Sequence, residues 1–100
     1  MSSSSTEVST ITEIRVEEPK KYKVILHNDD KTTVDFVVIV LRNIFFKSFD
    51  EAVEITRHVH LSGSAIVGIY TKEIADEKVT ETTTLARANG FPLTTTHEEV

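Results

Sequence analysis

Tyr22-Lys23-Val24-Ile25-Leu26-His27-Asn28-Asp29-Asp30-Lys31-Thr32 is a strand that stops at a polar corner. Tyr22, Val24 and Leu26 alternate with Lys23, Ile25 and His27, the period-two pattern of a strand with one buried face. The corner sets an amide and two carboxylates side by side. Asn and Asp are ordinary turn residues, so a solvated turn is one reading of it. A binding site is the other. Three acceptor-rich side chains suit a cationic partner, whereas a phosphate loop would offer glycines, free amides and a Lys or Arg.

The elements downstream follow from spacing and end signals. Thr32 offers an N-cap with Asp35 three residues on, and Val34, Val37, Val38, Leu41, Ile44 and Phe45 recur at helical intervals. This helix is rich in β-branched residues, so packing must hold it. Ser48-x-x-Glu51 is a capping box opening a second helix with Ala52, Ile55, Thr56 and Val59 on its apolar side. Gly63 suits that helix's end. Ala65 to Tyr70 has strand composition. Thr71 can cap a third helix, with Glu73 near its positive end. Thr80 and Thr82 to Thr84 would allow a strand, but Ile74, Val79, Ala86 and a terminal Asn89-Gly90 favour the helix. Leu93 to His97 makes a last strand. The predicted chain is α/β of the α+β kind. It is a single small domain in βααβαβ order, with a three-stranded antiparallel or mixed sheet covered by helices on one face.

Composition limits what such a domain does. One hundred residues, 27% charged and 39% hydrophobic, make one globular domain. A net charge of −5 argues against nucleic acid or an anionic membrane as partner. With no Cys there is no disulfide, thiolate metal site or Cys nucleophile. No apolar run has the length of a membrane span, and the N-terminus has no signal-peptide core, so a cytoplasmic protein is expected. Residues 1–19 open on Met1-Ser2-Ser3-Ser4-Ser5-Thr6 and stay rich in Thr and Glu. Such a segment cannot bury enough apolar surface to offset its ordering entropy, so a flexible extension is expected there and the core domain over 20–100.

Four stretches together carry a resemblance. They are Tyr22 to Asp30; His58-Val59-His60 followed by Gly63; Ala65-Ile66-Val67-Gly68-Ile69-Tyr70-Thr71 followed by Glu73, Ala75 and Lys78; and Phe91-Pro92-Leu93. In this order and spacing, over residues 20 to about 96, the chain resembles ClpS, the adaptor of the ClpAP protease. The resemblance implies a fold similar to the C-terminal domain of the ribosomal stalk protein. It also implies an adaptor rather than an enzyme, one that binds proteins by their N-terminal residue and delivers them to an unfoldase.

A protein N-terminus is an ammonium beside a side chain, and the resemblance distributes residues accordingly. Asn28, Asp29 and His60 are implied to take the ammonium, His60 through a neutral imidazole nitrogen. Asp30 and Thr32 stand at the rim. Leu26, Val34, Val37, Thr56, Val59 and Leu93 are implied to line an apolar socket for bulky residues such as Leu, Phe, Tyr and Trp. Glu73 and Lys78 are implied to dock on the N-domain of a ClpA-type AAA+ unfoldase, and the N-terminal arm to assist hand-over. No cofactor or metal is implied, and a monomer is expected. By residue type alone, His60 reads as a solvated histidine, Val37, Val59 and Leu93 as core, and Glu73 and Lys78 as a solvated helix face. His58 and His60 fall on nearly opposite sides of a helix and cannot share a metal.

The chain also departs from the family pattern. Lys31 stands where an aromatic residue is frequent, Thr33 where Pro is frequent, and Val34 and Thr56 where Met is usual. The last two bear on side-chain preference and leave the ammonium site intact. Two further readings exist: a metal site at Asp29, Asp30 and His60, and a stalk-like interaction domain without N-terminal recognition.

Overall fold

The structure is a computed structural model that describes residues 19–100. The expected N-terminal extension therefore lies outside the described residues except for Pro19. The elements run β1 (Lys21–His27), α1 (Val34–Asn43), α2 (Phe49–Ser62), β2 (Ser64–Thr71), α3 (Lys72–Ala88) and β3 (Thr94–Glu99). This is the predicted βααβαβ order. The last strand is shifted toward the C-terminus, and Leu93 becomes a buried residue just before it.

β1 buries one face, as its hydrophobic alternation requires. It is the central strand, in the order β2-β1-β3, and both pairings are antiparallel. Leu26 stands opposite Ala65 on one side and Thr95 on the other, and all three are buried beneath the helices. Lys23 lies on the opposite face, where its ammonium meets Glu98 at 3.3 Å. The β1–β2 register slips between Val24 and Ile25. An irregularity of this kind bends a strand without ending it.

The helices cover one face by two different means. α3 packs against all three strands, while α2 packs on β2 and α1 on α2. The buried side of α3 is Ala75, Thr82 and Ala86, not a stripe of large residues; Ile74 is exposed and Val79 half-buried. Small side chains let this helix lie close to the sheet. They also explain why the threonine-rich segment tolerates helix despite its propensity, since packing outweighs it. In α1 the core residues are Phe36, Val37, Val40 and Leu41, with Ile44 and Phe45 just beyond the helix. Val34, expected on the apolar stripe, is 61% exposed.

Helix ends tie the sequence to this arrangement. The Ser48–Glu51 capping box is present in both directions, at 3.1 and 3.0 Å. Gly63 closes α2 with φ 92°, a left-handed conformation that any side chain would strain. The α1 cap corrects the sequence expectation. It is Thr33, whose hydroxyl accepts from Phe36 N at 3.2 Å, because Thr32 is engaged by Asp29.

Candidate functional site

Asn28 to Thr33 bridge β1 and α1, and one carboxylate shapes them. Asp29 Oδ1 accepts from the backbone N–H of Lys31 at 2.8 Å and of Thr32 at 2.7 Å, while Oδ2 accepts from the Thr32 hydroxyl at 2.7 Å. Partial burial pushes the Asp29 pKa up. The hydroxyl and backbone hydrogen bonds, with a smaller contribution from Arg87, outweigh that and hold it below the ordinary carboxylate value. Asp29 thus stays ionised and organises its own loop.

A second hydrogen bond brings the loop to α2. Asn28 N–H donates to the carbonyl of Gly63 at 2.8 Å, and Gly63 N–H donates to Val59 O at 2.8 Å. The left-handed glycine that ends α2 is therefore also the point where the β1 corner is stitched to it. That stitch sets Asn28 and Asp29 beside the last turns of α2, which carry Thr56, Val59 and His60.

Between them lies a cavity of about 560 Å³. Asn28, Asp29 and Asp30 line it with Thr32 and His60, and Val34, Val37, Thr56 and Val59 supply its apolar surface. Nine of the eleven residues assigned from sequence to the ammonium site, rim and socket thus meet in one place. Thr56 is buried, and its hydroxyl donates to Ala52 O at 2.7 Å, one helical turn back. With the hydroxyl so engaged, the methyl is the part of Thr56 free to meet an occupant. Val34, assigned to the socket, is exposed and lines the cavity.

Leu26 and Leu93 are the exceptions. They are 0% and 1% exposed and belong to the core, so they do not line the cavity. Leu26 lies on the covered face of the central strand. Lys31 and Thr33 do line the cavity and were not assigned to it. Their position inside the same loop was the available signal.

The two remaining assigned residues lie elsewhere on α3. Glu73 is exposed in the first turn. Lys78 is half-buried: its ammonium donates to Ile44 O at 2.6 Å, past the end of α1, and sits 4.6 Å from the centroid of the exposed Phe46 ring. It is thus a fixed cation on a neighbouring aromatic, not a free one on a solvated face. Among the described residues no three His, Asp or Glu converge as metal ligands would. The reading of Asp29, Asp30 and His60 as a metal site loses its geometry, because Asp29 is turned into its own loop.

Chemically, this cavity combines acceptor side chains and aliphatic surface in one lining. Known proteins share the chain's pattern. The family "ATP-dependent Clp protease adaptor protein ClpS" matches residues 17–96. The ClpS adapter of Nautilia profundicola is 52% identical over 82 residues, covering 82% of this chain and 84% of that one. The ClpS adapter of Oleidesulfovibrio alaskensis is 45% identical over 94% of this chain and 90% of its own length. Among solved structures, Agrobacterium tumefaciens ClpS2 bound to L-phenylalaninamide aligns with a TM-score of 0.81 at 41% identity, over 83% of this chain and all of that one.

Proposed function

The chain belongs to the ClpS family of ATP-dependent Clp protease adaptors, and from that premise we propose that it selects proteins by a bulky hydrophobic N-terminal residue and delivers them to a ClpA-type unfoldase for degradation by ClpAP. The observation that carries this is the cavity whose lining combines the acceptors Asn28, Asp29 and His60 with the aliphatic groups of Val34, Val37 and Val59. L-Phenylalaninamide, bound in the A. tumefaciens relative, is a polypeptide's first residue in miniature: a free ammonium, an aromatic side chain and no carboxylate.

In this reading the ammonium donates to the Asn28 side-chain oxygen and to a neutral His60 nitrogen. A carboxylate has about four acceptor positions, and Asp29 uses three of them on its loop. It therefore contributes its charge and one remaining Oδ2 position, directly or through a water. Val34, Val37, Thr56 and Val59 receive the side chain, and Asp30 and Thr32 meet the peptide backbone. Glu73 and the Lys78–Phe46 pair form part of the surface that docks on the unfoldase N-domain. The N-terminal arm assists hand-over.

Fluorescence titration with peptides differing only in residue 1 tests the reading. Phe, Tyr and Leu should bind and Lys should not. His60→Ala should weaken binding by about tenfold, the worth of one hydrogen bond to a charged group, while His58→Ala should be nearly silent. Deleting residues 1–17 should leave peptide affinity intact and slow or abolish degradation in a reconstituted protease assay. Binding that ignores residue 1 would defeat the proposal.

A further inference from the structure

We propose that the cleft on the far side of the Asn28–Thr33 loop receives residues 2 to 4 of the substrate chain, and that Lys31 tunes it toward acidic side chains there. The inference rests on the N-terminal-residue reading above and extends it along the substrate.

A protein held by its first residue must lead the rest of its chain out of the socket. The concave surface that continues from the socket is a cleft of about 610 Å³. Asp29, Asp30 and Lys31 line both, so this stretch of loop is the ridge between them. The clefts beside Ile66, Phe46 and Thr84 share no residue with the socket. Three extended residues span about 10 Å, which a cleft of this size accommodates.

The far wall is built firmly. It is formed by Arg87, Gly90, Phe91 and Pro92, at the end of α3. The Arg87 guanidinium donates to Phe91 O and Leu93 O, both at 2.9 Å, and Phe91 N–H donates to Ala86 O at 2.9 Å. The Phe91 ring packs on Phe36 at 4.8 Å between centroids. A wall held in this way is present before a peptide arrives.

Charge sets its preference. The substrate ammonium offsets Asp29. What remains facing residues 2 to 4 is one carboxylate, Asp30, against two cations, Lys31 and Arg87. Among the described residues neither Asp30 nor Lys31 has an ion-pair partner. The balance of one positive charge favours Glu or Asp over Lys or Arg, and Phe91 and Pro92 add apolar contact. Lys31 is exposed at the crest, and its backbone N–H, not its side chain, braces Asp29. The side-chain charge can therefore be reversed without removing that brace.

The test uses the full chain and Phe-initiated decapeptides carrying Glu or Lys at position 2, 3 or 4, titrated at low ionic strength. At one or more of these positions the Glu peptide should bind roughly two- to fivefold more tightly, as expected of an exposed ion pair. Added salt should shrink the ratio, and Lys31→Glu should invert it. In amide NMR spectra, Gly90 and Arg87 should shift with the decapeptide and stay still with phenylalaninamide. Equal affinities at all three positions, a ratio untouched by Lys31→Glu, or an unmoved Gly90 would overturn the subsite while leaving first-residue recognition standing. Failure of phenylalaninamide itself to bind would instead overturn both.

Discussion

The molecule passes from strand to helix twice without reversing through a hairpin, and the two passages differ sharply. At β2–α3 the change is immediate: Thr71 ends the strand, Lys72 begins the helix, and the Thr71 side chain makes no capping bond. At β1–α1 residues 28 to 33 intervene, with three hydrogen bonds to one carboxylate, a side-chain cap at Thr33 and a backbone bond to Gly63. A chain needs nothing so elaborate to turn a corner. Polar groups fixed in one geometry at a half-exposed corner are what a binding site requires, because conformational freedom lost in folding is not lost again on binding.

The contrast is broken most severely at Asp29. Asp29→Ala should reduce stability by about 1–2 kcal/mol, since two backbone N–H groups and a hydroxyl lose their acceptor to partial replacement by water. It should weaken Phe-peptide binding at least tenfold, because loop shape and charge go together. Denaturant unfolding and peptide titration measure the two effects. The pH dependence has a definite sign. The folded-state pKa of Asp29 lies below the ordinary value, net of a burial effect that raises it. Its contribution is therefore complete above the unfolded carboxylate pKa and is lost as pH falls through the lower, folded one. Melting temperature should fall with acid in the wild type, and less steeply in Asp29→Asn.

The far wall of the cavity sharpens the same contrast at the level of selectivity. Thr56 is short, and its hydroxyl is bound back to Ala52 O. Thr56→Met should fill space in the cavity, strengthen binding of N-terminal Leu and disfavour Ile and Val, whose branch lies close to the backbone. The Leu-to-Ile affinity ratio should rise several-fold, about 1 kcal/mol, the scale of a methylene of fit. An identical ratio in wild type and variant would mean that this position is not the gate.

The smallest effect belongs to the plain passage. Thr71→Ala removes a side chain that caps nothing, so stability should change by no more than about 0.5 kcal/mol and peptide binding not at all. A loss as large as that of Asp29→Ala would erase the distinction between the two junctions.

Most of the architecture is legible in local pattern. The alternation at Tyr22, Val24 and Leu26 marks a strand with one buried face, and Ser48–Glu51 marks the start of α2, because each is decided by neighbours within one turn or one pleat. What sequence misplaces is decided farther away. Thr32 reads as the α1 cap, but the Asp29 carboxylate takes it and Thr33 caps the helix instead. Helical spacing favours Val34 over Phe36, yet Phe36 faces the Phe91 ring and Val34 the cavity. Leu26 and Leu93, which the resemblance assigns to the socket, are buried in the core. At the site, the acceptor-rich corner can be seen in the sequence as a corner. Its approach to His60 depends on the Asn28–Gly63 hydrogen bond, which no local pattern encodes. Only the resemblance to ClpS brings those residues together before the fold does.

The central claim is that the corner reads a free ammonium. A peptide beginning with Phe, titrated alongside its N-acetylated twin, tests it most directly. Acetylation removes the charge and the extra donors while leaving the side chain and the rest of the chain intact. Each hydrogen bond lost to the charged ammonium is worth roughly 1.5–3 kcal/mol. The free peptide should therefore bind and the acetylated one should fail to bind measurably over the same concentration range. Equal affinity of the two would contradict the ammonium site at Asn28, Asp29 and His60.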